Sequence, residues 1–283
     1  MLMDRLVVVG GSGHLAQALH AACPTAILVP RQDLDITDAD SIARALDELR
    51  PTVVINTAAM ADVDRCESAP DVALAVNAHG AGKLARRCVV LGVPLIHIST
   101  DYVFGAGAPR PPFLETDAPC PLSAYGRSKA LGENLVLEVA PNACVARMSW
   151  LFGQETDFLN GMLRRAAAGD VLSVYRQIGS PTPILGAAAR LVKLAASMRL
   201  GVAAPPILHL AGGPPASRRE WLTPALKAYC ASRRGLGCEI VEIEPPPTRP
   251  RFSALDIGLS ATLFGETLDW RPAAATAGAL WAG

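Results

Sequence analysis

No Cys-x-x-Cys pair, no His-Glu-x-x-His run and no Gly-x-Ser-x-Gly elbow occurs in this sequence. The first two absences leave no metal-ligand spacing among the five histidines (14, 20, 79, 97, 209) or the seven cysteines (23, 66, 88, 120, 144, 230, 238). The third removes the hydrolase nucleophile, because His14 stands where the second glycine is needed. A charge excess is missing too: 26 Lys+Arg face 26 Asp+Glu. Such a chain has no long-range attraction for nucleic acid or for an anionic membrane. The N-terminal apolar run, MLMDRLVVV, is too short for a signal peptide or a membrane span and leads straight into a glycine loop. Cys88 and Cys144 lie inside apolar stretches and read as buried small hydrophobes. Reduced thiols and a cytoplasmic location are expected.

Apolar residues make up 51% of the 283 and charged residues only 18%, which excludes a disordered chain. Short apolar runs at Leu6–Val9, Ala26–Val29, Val53–Asn56, Pro94–Ser99 and Ala143–Met148 read as buried strands. Helical spacing fills the gaps, at Ser41–Arg50 and Val72–Leu91, and Thr37 followed by Asp40 marks a helix start. This alternation predicts an α/β fold: a Rossmann-type doubly wound parallel sheet with a smaller C-terminal substrate-binding lobe. The sheet domain is assigned to 1–150 and the lobe mainly to 151–283, with a soft boundary across which segments can interleave. Phe158–Ala168 and Leu185–Arg199 are expected helices in the second half, and Ile207–Leu210 and Ile240–Ile243 expected strands.

Gly10-Gly11-Ser12-Gly13-His14-Leu15-Ala16 follows the first strand and opens a helix. Glycines there allow a tight turn and close backbone approach to a pyrophosphate resting on the helix N-terminus. The second strand ends at Arg31 rather than at an acidic residue. A cation there suits the 2′-phosphate of NADPH, with NADH the alternative, or is a solvated surface charge. Asp35 either meets the adenine edge or caps the following helix. Tyr125 and Lys129 form Tyr-x-x-x-Lys, which on a helix sets both groups on one face. An ammonium so placed lowers the tyrosine pKa, so that the phenol can exchange a proton with a ketone oxygen. Ser99 and Thr100 end the fourth strand, where ligands of a parallel sheet collect, and Thr100 can share that oxygen with Tyr125.

The segments GGSGHLA, LDITD, RPTVVINTAAMADVDRCES, VNAHGAGKLA, HISTDYVFG, ETDAPCPLSAYGRSKALGE, RMSWLFG, RQIGSPT and RPRFSALD together resemble the dTDP-4-dehydrorhamnose reductase family of the extended short-chain dehydrogenase/reductases. The resemblance covers nearly the whole chain. It implies Thr100, Tyr125 and Lys129 as the catalytic trio. It implies Gly10, Ser12, Gly13, His14, Leu15, Arg31, Asp35, Ile36, Ala58, Ala59, Met60, Asn77 and Ser99, with Tyr125 and Lys129, around NADPH. Val103, Phe104, Trp150, Gln177 and Arg249 fall at the sugar nucleotide. The implied reaction is hydride transfer to C4 of a nucleotide-linked 4-keto-6-deoxyhexose. Ala18 replaces the glutamate that holds magnesium in some relatives, so no metal is expected. A homodimer is left open.

Three other readings stand beside this one. They are a 4-ketoreductase for another nucleotide sugar, a dehydratase or epimerase, and a cofactor-binding regulatory subunit such as the β-subunit of methionine adenosyltransferase. Dehydratases follow the strand-end threonine with Asp-Glu, whereas Thr100 is followed by Asp101-Tyr102. The intact trio favours an enzyme over a regulatory subunit.

Overall fold

A computed structural model describes residues 5–106, 112–232 and 239–281; Cys238 and the first four residues of the N-terminal run lie outside these. The short β-branched runs become β1 (Leu6–Val9), β2 (Ile27–Val29), β3 (Val53–Asn56), β4 (Leu95–Thr100) and β5 (Cys144–Met148). Between them lie α1 (His14–Ala22), α2 (Ala39–Leu49), α3 (Val63–Ser68), α4 (Pro70–Leu74), α5 (Ala81–Leu91) and α6 (Ala124–Val139). The second half supplies β6 (Leu151–Phe152), α7 (Phe158–Ala167), β7 (Leu172–Tyr175), β8 (Ile178–Gly179), β9 (Thr182–Pro183) and α8 (Ile184–Arg199). It continues with β10 (Ile207–His209), β11 (Ala216–Ser217), α9 (Arg218–Ser232), β12 (Ile240–Ile243), α10 (Gly258–Phe264) and α11 (Arg271–Leu280).

Six parallel strands form the main sheet in the order β10-β5-β4-β3-β1-β2. Strand residues alternate between its faces. Leu6 and Val8 pack with α1 and α8, while Val7 and Val9 pack with α2, α5 and α6. The connections leave β1 in opposite directions, so a crevice opens beyond the carboxyl ends of β1 and β3.

Part of the second half joins the sheet. Helix α8 covers one sheet face and β10 extends the sheet beside β5. What remains outside is a cluster of α7, α9 and α11 around Trp221, Tyr229 and Trp270. The helix expected over Val72–Leu91 is also interrupted, by a π-helical turn at Ala75–Gly80. Helix α6 presses on that turn: a Cβ on Gly132 would lie 2.2 Å from the Asn77 carbonyl oxygen. Widened turns of this kind re-aim side chains, here Asn77. The cap of α2 is Asp38, whose carboxylate accepts from the Asp40 amide at 2.9 Å, and not Thr37. Thr37 is instead held by Asp35, through its amide at 2.8 Å and its hydroxyl at 2.7 Å.

Among the described residues no helix is long and apolar enough to cross a membrane. Nor do three His, Cys, Asp or Glu groups gather as a metal site among them. Cys88 and Cys144 are buried, and burial pushes both thiols up to about 12.

The end of β10 makes acid stability predictable. His209 is fully buried, its Nδ1 donates to the Asp256 carbonyl at 3.1 Å and its Nε2 faces an Arg147 N–H at 3.4 Å. Burial and the Arg147 charge lower its pKa from 6.5 to about 3. The folded pKa lies below the unfolded one, so between those values the unfolded chain binds more protons and stability is lost as pH falls. Urea titrations at pH 7 and about pH 4.5 are expected to differ by on the order of 2–3 kcal/mol from this ring alone. The dependence should flatten in His209→Gln; an equal slope in that variant would remove the ring as its source.

Candidate active site

The chain must turn sharply after β1 for α1 to pack back on the sheet. Gly10 does so at φ +87°, and a Cβ there would lie 2.6 Å from the Ala58 amide nitrogen. The loops after β1 and β3 therefore touch backbone to backbone. Helix α1 starts with Gly13 as its N-cap, without a side-chain cap and without an acidic residue in its first turn. Its first N–H groups stay open at the positive end of the helix, an arrangement suited to a pyrophosphate.

A cleft of about 280 Å³ lies beside this turn, with Gly10, Ser12, Gly13, Arg31, Asp35, Ile36, Ala58, Ala59 and Met60 in its lining. Nine of the expected cofactor residues are thus brought together. Arg65 joins them, which the sequence reading did not single out. Arg31 is exposed and pairs with Asp35, both Nε and Nη2 reaching Oδ2 at 3.1 Å. Bonds from Thr37, and then from Arg31, hold the Asp35 carboxyl below its usual range. The rim therefore carries a fixed anion next to its cation.

Four expected cofactor residues turn their side chains elsewhere. The His14 ring meets Thr156 Oγ1 at 3.1 Å, and Leu15 is buried under α1. Their backbone N–H groups remain at the helix start. Ser99 is buried and donates to Glu133 Oε1 at 2.5 Å, because alternation along β4 sends it inward. Asn77 is fully buried, accepts from the Met60 amide at 2.8 Å, and donates to the Met60 carbonyl at 3.0 Å and to Ser128 Oγ at 2.9 Å. It fixes the Met60 loop from behind rather than lining the cleft.

Two caps place Tyr125 in the first turn of α6. Ser123 Oγ accepts from the Gly126 amide at 3.0 Å, and Glu67 Oε1 accepts from the Ala124 amide at 2.6 Å. Glu67 belongs to the DRCES stretch, so that motif serves the helix that carries the phenol. Tyr125 is half-buried, with its hydroxyl beside Thr100 and its ring edge-on to Tyr102 at 5.9 Å. Thr100 Oγ1 donates to Asp101 Oδ1 at 3.2 Å and accepts from the Tyr102 amide at 3.2 Å. Asp101 is buried and takes bonds from Ser149 and Ser253, so it ties β5 and the C-terminal segment to this strand end. Burial raises its pKa while the Ser253, Ser149 and Thr100 hydroxyls oppose the rise.

The expected effect of the lysine on the tyrosine is not seen. Burial holds the Tyr125 phenol above its ordinary value; the Thr100 bond lowers it, and the Asp101 and Cys66 charges raise it further. Lys129 Nζ donates to the Ile98 carbonyl at 2.6 Å and sits 3.3 Å from His97 Nε2. Its own burial moves its pKa down to about 8, opposed by the Glu133 charge, which still leaves it an ammonium at neutral pH.

On the substrate side the structure redistributes the expected residues. The 3-10 turn Asp101–Val103 directs Val103 and Phe104 into the core, where Phe104 stacks on Phe113 at 4.3 Å. Gln177 is also buried and donates to the Pro250 carbonyl at 2.8 Å. The side chains of all three are buried. Trp150 is half-buried and covered by the Arg218 guanidinium at 3.6 Å from its ring centre. Arg249 pairs with Asp64 at 3.0 Å across to α3 and lies near the Tyr102 side chain.

Arg218 had no signal in the sequence, since a cation at the start of a helix reads as a solvated one. In the structure burial lowers its pKa to about 10, opposed by Tyr102 and Asp101. Two guanidiniums thus converge on Tyr102, two residues from Thr100.

The profile of the RmlD substrate binding domain matches residues 3–280. The dTDP-4-dehydrorhamnose reductase of Mycolicibacterium smegmatis is 37% identical over 96% of this chain and 84% of its own. A dTDP-4-keto-6-deoxy-D-glucose reductase of Streptomyces niveus is 32% identical over 90% of this chain and 89% of its own. The crystal structure of dTDP-4-dehydrorhamnose reductase from Bacillus anthracis in complex with NADP superposes with a TM-score of 0.86 at 26% identity, covering 97% of this chain and 98% of that one.

Proposed function

The chain belongs to the RmlD substrate binding domain family of dTDP-4-dehydrorhamnose reductases, and on that premise we propose that it reduces the C4 ketone of a nucleotide-linked 4-keto-6-deoxyhexose with NADPH. The substrate this assigns is dTDP-4-dehydrorhamnose and the product dTDP-L-rhamnose. One observation carries the reading: Tyr125, beside Thr100 at the end of β4, packs in the same cluster as Met60, a residue of the cleft lining.

The residues present fit a dinucleotide. An uncapped helix start and a glycine turn that admits no Cβ suit its pyrophosphate. Arg31 suits a 2′-phosphate and Asp35 a ribose hydroxyl, so NADPH is favoured and NADH can be accepted. When bound, the nicotinamide supplies the hydride. Tyr125 supplies the proton: its O–H bond breaks as an O–H bond forms on the C4 oxygen. Burial keeps the phenol protonated, which is the form a donor needs. The Thr100 hydroxyl turns from Asp101 to the same oxygen and stabilises the charge that develops there. Lys129 stands one turn along α6, where it can steady the phenolate left behind. Arg218 and Arg249 suit the diphosphate of the sugar nucleotide.

The same proposal includes a cytoplasmic location, supported by six free cysteines among the described residues. It also includes a homodimer, to be checked by mass in solution. A second reading, a 4-ketoreductase for another dTDP-deoxysugar, is favoured by the likeness to the Streptomyces niveus enzyme.

The deciding experiment supplies the purified chain with NADPH and dTDP-4-dehydrorhamnose, and identifies the product by NMR. Expected is stoichiometric oxidation of NADPH and appearance of dTDP-L-rhamnose. Turnover only with dTDP-4-keto-6-deoxy-D-glucose would establish the second reading. NADPH binding without turnover of either sugar would make the chain a binding subunit.

A further inference from the structure

Helix α3 reaches the C-terminal segment through an ion pair. Arg249 Nη2 donates to Asp64 Oδ1 at 3.1 Å and to Oδ2 at 3.0 Å, across 185 residues of chain. The backbone is fixed on both sides of this contact. Beside Arg249, Gln177 donates to the Pro250 carbonyl at 2.8 Å, and the Ile178 amide donates to the Arg251 carbonyl at 2.8 Å. Beside Asp64, the Cys66 thiol donates to the Met60 carbonyl at 3.3 Å, and Glu67 accepts from the Ala124 amide at 2.6 Å. A change of partner at this pair is therefore a matter of side-chain rotation.

The two side chains differ in what they need. Asp64 is 76% exposed, so water solvates its carboxylate whether Arg249 is near or not. The Arg249 side chain is 23% exposed, and its Nε is buried with no hydrogen-bond partner among the described residues. Its donor fork is thus only partly used, although buried donors are almost always paired. Arg218 stands close enough for the Arg249 charge to disfavour its own. The Arg218 guanidinium lies 3.6 Å from the centre of the Trp150 ring and has no ion pair among the described residues. The buried Asp101 carboxylate already serves the Ser149 and Ser253 hydroxyls. Two neighbouring guanidiniums with unspent N–H donors suit a diphosphate, which brings both negative charge and acceptor oxygens.

We propose that Asp64 is a displaceable counter-ion: it holds Arg249 in place and yields the guanidinium to the diphosphate of the sugar nucleotide. Asp64 is then a positioning residue that acts through Arg249 and competes with the substrate. Its removal strengthens binding, the opposite of what loss of a structural ion pair does. The inference rests on the reading of this site as one for a sugar nucleotide.

The test is calorimetric titration of the full chain with dTDP, with NADP⁺ in excess to fill the dinucleotide cleft. Asp64→Asn keeps the side-chain shape and removes the charge at an exposed position. Expected is a dissociation constant for dTDP about fivefold lower than in the unaltered chain, the size set by one exposed ion pair and one solvated repulsion. The KM for the ketosugar should fall by the same factor with kcat unchanged, because the gain is equal in the ground and transition states. Asp64→Glu retains a carboxylate and should bind dTDP as the unaltered chain does. Arg249→Met should weaken dTDP binding at least about tenfold, and Asp64→Asn should add little in that background.

Unchanged or weaker dTDP binding in Asp64→Asn would overturn the proposal. So would an equal gain from Asp71→Asn, which removes the same charge from an exposed position on the neighbouring α4. An undiminished gain in the Arg249→Met background would overturn it too. Titration with dTDP involves no ketone, so the two readings fail separately. Tighter dTDP binding in an Asp64→Asn chain whose parent reduces neither ketosugar would leave the counter-ion standing and sink the reductase. Reduction of dTDP-4-dehydrorhamnose with unaltered dTDP affinity in Asp64→Asn would sink the counter-ion alone.

Discussion

Tyr125→Phe is expected to cut turnover about a thousandfold while leaving NADPH affinity and the thermal midpoint essentially unchanged. The substitution removes one oxygen and no ring. The edge-on contact with Tyr102 at 5.9 Å is kept, as are the Ser123 and Glu67 caps that position the first turn of α6. Thr100 keeps its place, because its bonds run to Asp101 and the Tyr102 amide. The lost proton has no substitute. Thr100 is a far weaker acid than a phenol, and Lys129 is turned toward Ile98 and His97. Steady-state kinetics with the ketosugar, together with fluorescence titration of NADPH, separate the two effects. Turnover within tenfold of the unaltered chain would remove Tyr125 from the donor role; weakened NADPH binding would mean that the phenol also helps to hold the cofactor.

The parts of this site that were legible in the sequence are those set by backbone geometry. The glycine turn after β1 could be read because a strand, a tight turn and a helix start leave few residue choices. The Tyr-x-x-x-Lys pair could be read because helical spacing alone puts both groups on one face. Strand positions came within a residue or so, since buried parallel strands are short apolar runs with little else to resemble. What escaped was decided by contacts between distant segments. Ser99 and Phe104 stand beside catalytic candidates in the chain, yet pleat alternation and a 3-10 turn send both inward. Asn77 was placed at the cleft, but the π-helical turn re-aims it to hold Met60 from behind. Arg218 acquires its meaning only from Trp150 folding beneath it. The direction of the tyrosine's pKa followed the same rule: i,i+4 spacing sets Lys129 on the same helix face, but burial of the phenol outweighs it.

Arg147→Met is expected to cost about 3–5 kcal/mol, the largest stability effect of any single substitution considered for this chain. Arg147 and Glu133 are each 1% exposed and join β5 to α6 directly behind the catalytic face. Nη2 reaches Oε2 at 2.7 Å and Nε reaches Oε1 at 3.0 Å, while Ser99 fills a further acceptor site on the same carboxylate. The guanidinium also lies 5.0 Å from the centre of the Phe104 ring and faces His209 Nε2 at 3.4 Å. Methionine matches the aliphatic part of arginine and keeps the packing, so what remains is a buried carboxylate with one hydroxyl for company. Removing the second charge as well should restore much of the loss, because most of the cost lies in the stranded ion rather than in the missing attraction. Arg147→Met with Glu133→Leu is therefore expected to be more stable than Arg147→Met alone, by about 1–3 kcal/mol. Urea unfolding of both variants measures this directly. If the double variant were as unstable as the sum of its parts, the pair would be acting through shape rather than charge, and its position one turn beyond Lys129 would have no electrostatic meaning.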